Sequence, residues 1–462
     1  MVQTAWHTRL FRAAARSCRG GPIRRALLIA VCGTVLCTPA AAAGRNAEAP
    51  APEATGSITR PAAPAAARLP TLAREARLAG DGQRTRMVLD LDRAVDIRTF
   101  TLANPYRVVV DLDDVVFSMA PQPMQRGLVS ALRYGVFAPG KARMVLEVGG
   151  PVSIDKSFIL DAVDDQPARL VLDLVPTDAA TFARTLATAT RPQAATPEPI
   201  VPPAGDTRPV IVIDPGHGGI DTGTTGYSSY AEKNIVLETG LVLRDKLEKL
   251  GIYRVVMTRS TDTFIPLGER VRIARAHQAA LFISLHADAL ARNDGKARGA
   301  SVYTLSETAS DADAARLADQ ENKADLIAGV DLSDESDAVA GILVDLAQRE
   351  TRSFSAHFAR QLVHQMKSVA RTHHGALKSA GFRVLRAHDV PSVLVELGYM
   401  SSREDLKLLT SDTWRNEVAD AMVEAVNDFF GPRVAHATPT DGQTARAENA
   451  KGERAEPGKA GR

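Results

Sequence analysis

Four residues of this chain have the side-chain types and positions that a catalytic metal site requires. His217, His286 and Glu396 each follow or end a run of apolar residues, and Glu232 begins the first helical segment after His217. Imidazole nitrogens and carboxylate oxygens both bind zinc, and a catalytic zinc takes about three protein ligands and keeps one position for water. These four residues are therefore candidates for a catalytic site that holds one Zn²⁺.

The three apolar runs, 210–213, 281–285 and 393–395, predict buried parallel strands. In an open α/β sheet, ligands bind just beyond the carboxyl ends of the strands. The residues that follow the runs should therefore meet at one edge of one sheet. The helix that follows the first of these loops brings its opening residue, Glu232, to the same edge.

The predicted roles follow from the chemistry. We expect His217, Glu232 and His286 to bind the metal, although Glu232 alone is an ordinary first-turn acid and His286 alone could be a core histidine. Glu396 is the candidate general base, because hydrolysis needs a group that takes a proton from water and passes it to the leaving nitrogen. Asp288 is close enough in sequence to orient a ligand.

The N-terminus has the pattern of a bacterial secretory signal over residues 1–43. Arg24 and Arg25 precede an apolar run, and alanines at 40–43 supply small residues for cleavage. Paired arginines leave both the general secretory and the twin-arginine route open. Cys37 follows the bulky Leu36, so we expect no lipid anchor and no stable membrane attachment.

All three cysteines lie inside this segment, so the exported protein would have no thiol and its metal site must use His and carboxylates. Removal of the six arginines in residues 1–43 changes the formal net charge from +2 to −4. A mildly acidic protein gives no support to nucleic-acid binding. An enzyme or binding protein outside the cytoplasm is the better interpretation.

Composition divides the rest of the chain into two folded blocks. Residues 44–70 and 176–208 are rich in Ala, Pro and Thr and predict linkers, the first of them disordered; residues 431–462 predict a disordered tail. Between them, residues 71–175 and 209–430 carry the apolar patterns of folded domains.

The first block repeats one short pattern four times, an Arg followed by alternating apolar residues with an Asp or Glu. Alternation of this kind predicts strands with one face in a core, and four such strands suggest a small all-β sandwich. The repeated charges are either solvated cross-strand pairs or a polar face that binds a polymer. The repeats begin at Arg86, Arg107, Arg143 and Arg169.

The second block alternates strands with helices and predicts one α/β domain with a mostly parallel central sheet and flanking helices. Helices are expected over 234–250, 266–278 and 413–430, and another is expected around Phe358. His373 and His374 are expected at a helix end or in a loop.

Four stretches of this block resemble the zinc-dependent N-acetylmuramoyl-L-alanine amidases, specifically the periplasmic cell-division amidases of Gram-negative bacteria. In the family's order they are 213–219, 232–234, 284–288 and 395–399. The resemblance implies zinc bound by His217, Glu232 and His286, Glu396 as the catalytic carboxylate, and cleavage of the amide between N-acetylmuramic acid and L-alanine in peptidoglycan during septum splitting. It also implies a periplasmic location, and residues 71–175 resemble the wall-binding AMIN domain. Ser402 stands where many relatives have Asn.

Residues 306–350 contain twelve acids and only three Lys or Arg, together with apolar helical stretches. They are either a solvated acidic insertion or a helix that covers the positively charged metal and excludes substrate. In the division amidases a comparable insertion is autoinhibitory and is displaced by a LytM-domain activator. Residues 319–322 resemble its inhibitory segment, so Glu321 is the expected occluding ligand.

Two other functions stay open from the sequence. The chain could be a catalytically silent adaptor that binds peptidoglycan through the sandwich, or another zinc hydrolase that acts on the cell wall.

Overall fold

The computed structural model describes residues 69–119, 124–188, 206–225, 230–289, 298–330 and 342–437. Within these ranges a β-rich part is followed by an α/β part, as predicted. The predicted signal segment 1–43 and nearly all of the 44–70 linker lie outside the described residues, as does the tail beyond residue 437. No helix among the described residues is both long and apolar enough to span a membrane.

The β-rich part is formed by two antiparallel sheets that pack face to face. One sheet has the order β5-β1-β2-β9-β8 with a parallel β1–β5 pair, and the other, which we call the inner sheet, has the order β3-β4-β7-β6. The strands are β1 Thr71–Gly80, β2 Thr85–Leu91, β3 Ile97–Leu102, β4 Arg107–Asp113, β5 Val115–Phe117, β6 Val129–Ala138, β7 Lys141–Val148, β8 Val152–Leu160 and β9 Ala168–Pro176.

The four repeats form adjacent strands in the two sheets. They are β2 and β9 in one sheet and β4 and β7 in the inner sheet. The predicted alternation is confirmed in β2, where Met87, Leu89 and Leu91 are buried between the sheets while Arg86 is exposed. Full burial of each such side chain contributes about 1.5–3 kcal/mol, so the repeated pattern specifies the sandwich core.

The inner sheet is buried on both faces, which the sequence did not predict. Val109 and Val145 point away from the sandwich core, yet both are fully buried in a cluster with Ile220, Phe264 and Ala328 of the α/β part. The interpretation of the repeated charges as solvated pairs is therefore wrong for Arg107 and Arg143, which are buried, whereas Glu147 of this sheet has a partly exposed pair with Arg133. The reason is that a distant part of the chain covers its outer face.

The connection between the two parts begins with a helix. Helix α1, Ala179–Thr188, lies inside the predicted linker 176–208. Its Phe182 is buried and its ring meets that of Tyr106 edge-on at 5.0 Å. The start of this segment therefore packs on the sandwich; residues 189–205 lie outside the described residues.

The α/β part has a six-stranded mixed sheet with the order β11-β10-β12-β15-β13-β14. Every neighbouring pair is parallel except β13 with β15. The strands are β10 Val210–Pro215, β11 Arg254–Met257, β12 Leu281–His286, β13 Ala300–Leu305, β14 Thr372–Ala380 and β15 Ser392–Glu396. The helices are α2 Glu232–Lys249, α3 Leu267–Ala276, α4 Ala312–Glu321, α5 Ala324–Ile327, α6 Ile342–Met366, α7 Arg403–Leu409 and α8 Asp412–Ala437.

Helices cover both faces of this sheet. Alternate strand residues such as Ile211 and Ile213 pack against α2, α6 and α8, whereas Val210 and Val212 pack on the side of α3 and α4. One expectation is wrong here, because His373 and His374 lie in strand β14. Their polar run lacks the alternation of a half-buried strand, and only the pairing with β13 reveals it.

Candidate metal centre

The loop after β10 turns sharply and brings His217 back to the edge of the sheet. His217, Gly218 and Gly219 all have positive φ, 57°, 124° and 56°. Gly216 must lack a side chain, since a Cβ there would lie 2.5 Å from the imidazole of His286. The two histidine loops therefore approach each other more closely than any larger residue would allow.

The strand register places the other residues at the same edge. β12 lies between β10 and β15, and His286 pairs directly with Glu396. Glu232 is the first residue of α2 and is fully buried. The structure thus brings His217, Glu232, His286 and Glu396 together where the ends of parallel strands meet.

One carboxylate oxygen lies between the two imidazoles. Glu232 Oε1 is 3.1 Å from His217 Nε2 and 3.4 Å from His286 Nδ1. The same carboxylate accepts hydrogen bonds from the backbone amides of Ala287 (2.8 Å) and Thr224 (3.0 Å). These amides hold Glu232 in a fixed orientation.

The two imidazole nitrogens that face each other have no hydrogen-bond partner of acceptable geometry among the described residues, although they are buried. Buried polar atoms are rarely left without a partner. His217 Nε2 and His286 Nδ1 offer lone pairs beside carboxylate oxygens, a donor set that suits zinc. The residues present therefore fit a metal ion.

Glu321 reaches the same place from the acidic insertion. Its Oε2 lies 3.1 Å from His286 Nδ1 and 3.5 Å from His217 Nε2. His217, His286 and Glu321 form a group whose ligand atoms all lie within 4.8 Å of one another. Glu321 belongs to the buried stripe of α4 with Ala314, Leu317 and Ala318, so this helix directs one carboxylate into the centre.

The charges around the centre favour a cation. Burial opposes the charged imidazolium, but the carboxylates of Glu232, Asp221 and Glu321 together raise the pKa of His217 well above its ordinary value. Burial likewise opposes ionisation of Glu232, yet the neighbouring histidines hold its pKa well below the ordinary value. A positive ion between these groups would have the same favourable partners.

Asp221 is a residue of this centre that the sequence prediction missed. His217 Nδ1 donates a hydrogen bond to Asp221 Oδ2 at 2.9 Å, so the opposite ring nitrogen is left as the acceptor. A carboxylate in this position commonly fixes the tautomer of a metal-binding histidine. The available signal was an acid four residues after a histidine in a glycine-rich turn.

Arg270 was also missed. It is buried on α3 and donates to Asp214 (2.7 Å) and to the carbonyl oxygens of Pro215 (2.8 Å) and His217 (2.7 Å). These contacts hold the His217 loop in place. No local sequence pattern marks them, because the partners are more than fifty residues away.

Glu396 is buried beside the centre with one oxygen held and one available. Its Oε2 accepts a hydrogen bond from the backbone amide of Asp288 at 3.0 Å, while Oε1 has no partner among the described residues. Burial raises the pKa of Glu396 well above its ordinary value, and the nearby acids Asp288 and Glu232 act in the same direction. A carboxyl in this setting can bind and release a proton.

Asp288 makes contacts that differ from those expected of it. Its Oδ1 accepts hydrogen bonds from the Thr224 hydroxyl (2.5 Å) and from Gln320 of α4 (2.7 Å). Burial raises the pKa of Asp288 to about 7. Orientation of a zinc ligand by Asp288 stays a prediction, and the residue also connects the insertion to the edge of the sheet.

The fold and centre define a class: an α/β protein with a buried histidine and carboxylate site, preceded by a β-sandwich. The N-acetylmuramoyl-L-alanine amidase family model matches residues 211–428, and the AMIN domain model matches residues 75–174. The chain belongs to the N-acetylmuramoyl-L-alanine amidases and is an enzyme of that family.

Two curated relatives named AmiC support this membership over most of the chain. N-acetylmuramoyl-L-alanine amidase AmiC of Escherichia coli is 34% identical over 364 residues, 75% of this chain and 86% of that protein. AmiC of Neisseria meningitidis is 34% identical over 76% of this chain and 88% of its own length. Among solved structures, AmiC2 of Nostoc punctiforme is 26% identical with a TM-score of 0.36, and the match covers 49% of this chain and 99% of that one.

Proposed function

We propose that this protein is a zinc-dependent amidase that hydrolyses the bond between N-acetylmuramic acid and L-alanine in peptidoglycan. The observation that carries the zinc assignment is the pair of buried nitrogens of His217 and His286, which lie beside the Glu232 carboxylate and lack a hydrogen-bond partner among the described residues. Those three residues would hold one Zn²⁺. The family model and the named relatives support the proposal that the amide between N-acetylmuramic acid and L-alanine is the bond that is cleaved.

The bound zinc would act as a Lewis acid and would lower the pKa of a water molecule. Glu396 is the group that, as a carboxylate, would take the proton and deliver it to the leaving nitrogen, because its Oε1 has no partner among the described residues and its raised pKa makes the carboxylate a stronger base. The amide of Asp288 orients its other oxygen. Asp221 keeps His217 in the tautomer that presents Nε2 to the metal.

The acidic insertion would keep the centre closed in the resting enzyme. Glu321 lies on the buried face of α4, where an unpaired carboxylate would be costly, and it lies against both histidines. A carboxylate there occupies the space that water and substrate need. We call α4, α5 and the segment to residue 330 the lid. Its displacement by a LytM-domain activator is the expected route to activity.

The biological setting is part of the same proposal. A cleaved signal peptide over residues 1–43 would export the enzyme to the periplasm, and the sandwich would bind peptidoglycan. The site would then act in septum splitting and daughter-cell separation. The relatives AmiC and AmiA support the amidase activity, and the role in division rests on the resemblance of the four sequence stretches to the cell-division amidases.

One experiment tests the chemistry directly, on an enzyme in which Glu321→Ala removes the carboxylate that lies against both histidines. A chelator should abolish release of peptides from purified peptidoglycan, and added zinc should restore it. Glu396→Gln in the same background should bind one zinc yet lose about 10²–10⁴-fold in rate, the usual contribution of a general acid or base.

The contrary results are equally clear. Full activity after complete removal of metal would contradict the zinc assignment, and activity surviving in Glu396→Gln would remove Glu396 from the mechanism. Native protein with much less than one zinc per chain and no activity in any variant would favour the silent adaptor.

A further inference from the structure

The outer face of the inner sheet holds the end of the lid through two buried arginines. Arg107 Nη1 donates to the carbonyl oxygen of Leu326 at 2.6 Å. Arg143 Nη1 donates to the carbonyl oxygens of Gly329 at 3.0 Å and Ala328 at 3.3 Å. These carbonyls lie five to eight residues after Glu321, in the same continuous segment.

The guanidinium of Arg143 is fixed in place for this contact. It forms two hydrogen bonds with Asp111 of the neighbouring strand, 2.6 and 2.9 Å long, and it lies 3.4 Å from the ring centre of Phe137. Its side chain is only 5% exposed. A charged group buried to this extent needs all of its partners, so the lid carbonyls contribute to its stability.

Apolar packing complements the two arginines. Ala328 is fully buried in the cluster with Val109 and Val145. Gly329 has a φ of 69°, and a Cβ there would lie 3.0 Å from Val145 and 3.1 Å from Val109. The lid therefore packs closely against the sheet, and a side chain at residue 329 would require Val145 and Val109 to shift.

The same sheet also contacts the loop of a proposed zinc ligand. The amide of Ile220 donates to the carbonyl oxygen of Val136 at 3.2 Å, and a Cβ on Gly135 would lie 2.5 Å from that amide nitrogen. The sandwich thus contacts both the lid and the loop that carries His217. The position of the lid relative to the His217 loop therefore depends on the inner sheet that both contact.

The equivalent arginine of the other sheet has a different environment. Arg86 stands at the same place in the repeat and pairs with Asp173 in the same bidentate way, yet its side chain is 50% exposed. The repeat alone therefore does not explain the burial of Arg143. Arg143 is buried because the lid covers it.

We propose that the inner sheet is a clasp that keeps the lid closed, with Arg107 and Arg143 as positioning residues. The inference rests on the proposed autoinhibition by Glu321. The lid also has anchors on the catalytic side, where Asp325 accepts from the amide of Leu267 (2.9 Å) and Asn322 donates to the carbonyl oxygen of Gly381 (2.9 Å). Closure therefore depends on both domains, and a change in the sandwich is transmitted to the active site.

The test measures peptide release from purified peptidoglycan by the full chain without activator. Arg143→Met and Arg107→Met keep the apolar stems and remove the donors, so each should raise the basal rate about tenfold, as expected for loss of a hydrogen bond from a charged donor. Glu321→Ala should raise it as well, since it removes the occluding carboxylate directly.

Hydrogen exchange supplies a second readout that does not depend on activity. Amides of residues 312–327 should exchange faster in Arg143→Met and Arg107→Met, while those of β2 and β9 stay protected. Arg86→Met is the matched control and should leave exchange of residues 312–327 unchanged, because its guanidinium does not contact the lid. If one variant does not fold, the other still gives the result.

The possible failures are distinguishable. Glu321→Ala could be activated while both arginine variants keep the basal rate and the slow exchange. In that case the clasp proposal is wrong, and the proposal of autoinhibition by Glu321 is still supported. If no variant is activated, autoinhibition itself is wrong and the clasp fails with it. Faster exchange in Arg86→Met equal to that in Arg143→Met would also overturn the clasp.

Discussion

The two carboxylates that lie against both histidines, Glu232 and Glu321, differ in how they are held. Glu232 starts a long helix and accepts two backbone hydrogen bonds, so its position belongs to the folded domain. Glu321 belongs to a helix of the insertion and is held there by the lid. This difference supports the proposal that Glu232 is a permanent ligand and Glu321 a removable one.

Asp221 provides a prediction at the scale of one residue. Asp221→Ala should weaken zinc binding about 10–100-fold, the usual effect of losing a carboxylate that orients a metal-binding histidine. Competition with a fluorescent chelator measures the affinity. Asp245→Ala, which removes an exposed acid of α2, is the control and should leave zinc affinity unchanged. Equal affinity in Asp221→Ala and the control would show that His217 needs no such partner.

At the scale of elements, the sequence predicted those parts whose signal is local. The strands ending at His286 and Glu396 are found at the predicted ends, because continuous apolar runs bounded by polar residues define buried strands. Helix α2 begins at Glu232, the residue predicted to open this helical segment, and ends at Lys249.

Features that depend on distant contacts were not predicted. Strand β14 carries a polar run and is defined by its pairing with β13. Burial of Arg143 depends on Gly329, 186 residues away, and no pattern around either residue reveals the contact. The same holds for Arg270. That the four candidate residues lie together was predictable, because Glu232, His286 and Glu396 begin or end a regular element and His217 follows the end of β10 by two residues.

The pairing of β2 with β9 gives a prediction about pH. Two hydrogen bonds from Arg86 lower the pKa of Asp173 below its ordinary value of 3.8, although burial acts in the opposite direction. A lowered folded-state pKa means that the ionised carboxylate stabilises the fold above the unfolded pKa and that this stability is lost as the pH falls through the folded value.

Asp173→Asn should therefore be less stable than the unmodified chain at pH 7, and the difference should shrink below about pH 4. Hydrogen exchange of the β2 and β9 amides, followed at pH 7 and below about pH 4, measures this difference in stability. Asp113→Asn, in the exposed pair with Lys141, is the control and should change stability by less than about 1 kcal/mol. If the destabilisation by Asp173→Asn grows as the pH falls, the predicted direction of the pH dependence is wrong.

At the scale of the whole molecule, the sandwich, the lid and the centre form one connected arrangement. The inner sheet contacts the His217 loop and the end of the lid, and the lid places Glu321 against the two histidines. The lid has contacts with the sandwich and with the α/β part. Under the proposed autoinhibition, an activator would need to break contacts on both sides of the lid.

The most direct test of the central claim is mass analysis of the fragments that the Glu321→Ala enzyme releases from purified peptidoglycan with zinc present. We predict stem peptides that begin with a free L-alanine amine, together with glycan strands that keep intact N-acetylmuramic acid and have lost their peptides. Peptides cut within the stem, or glycan that has lost acetyl groups while retaining its peptides, would contradict the amidase assignment and favour another zinc hydrolase.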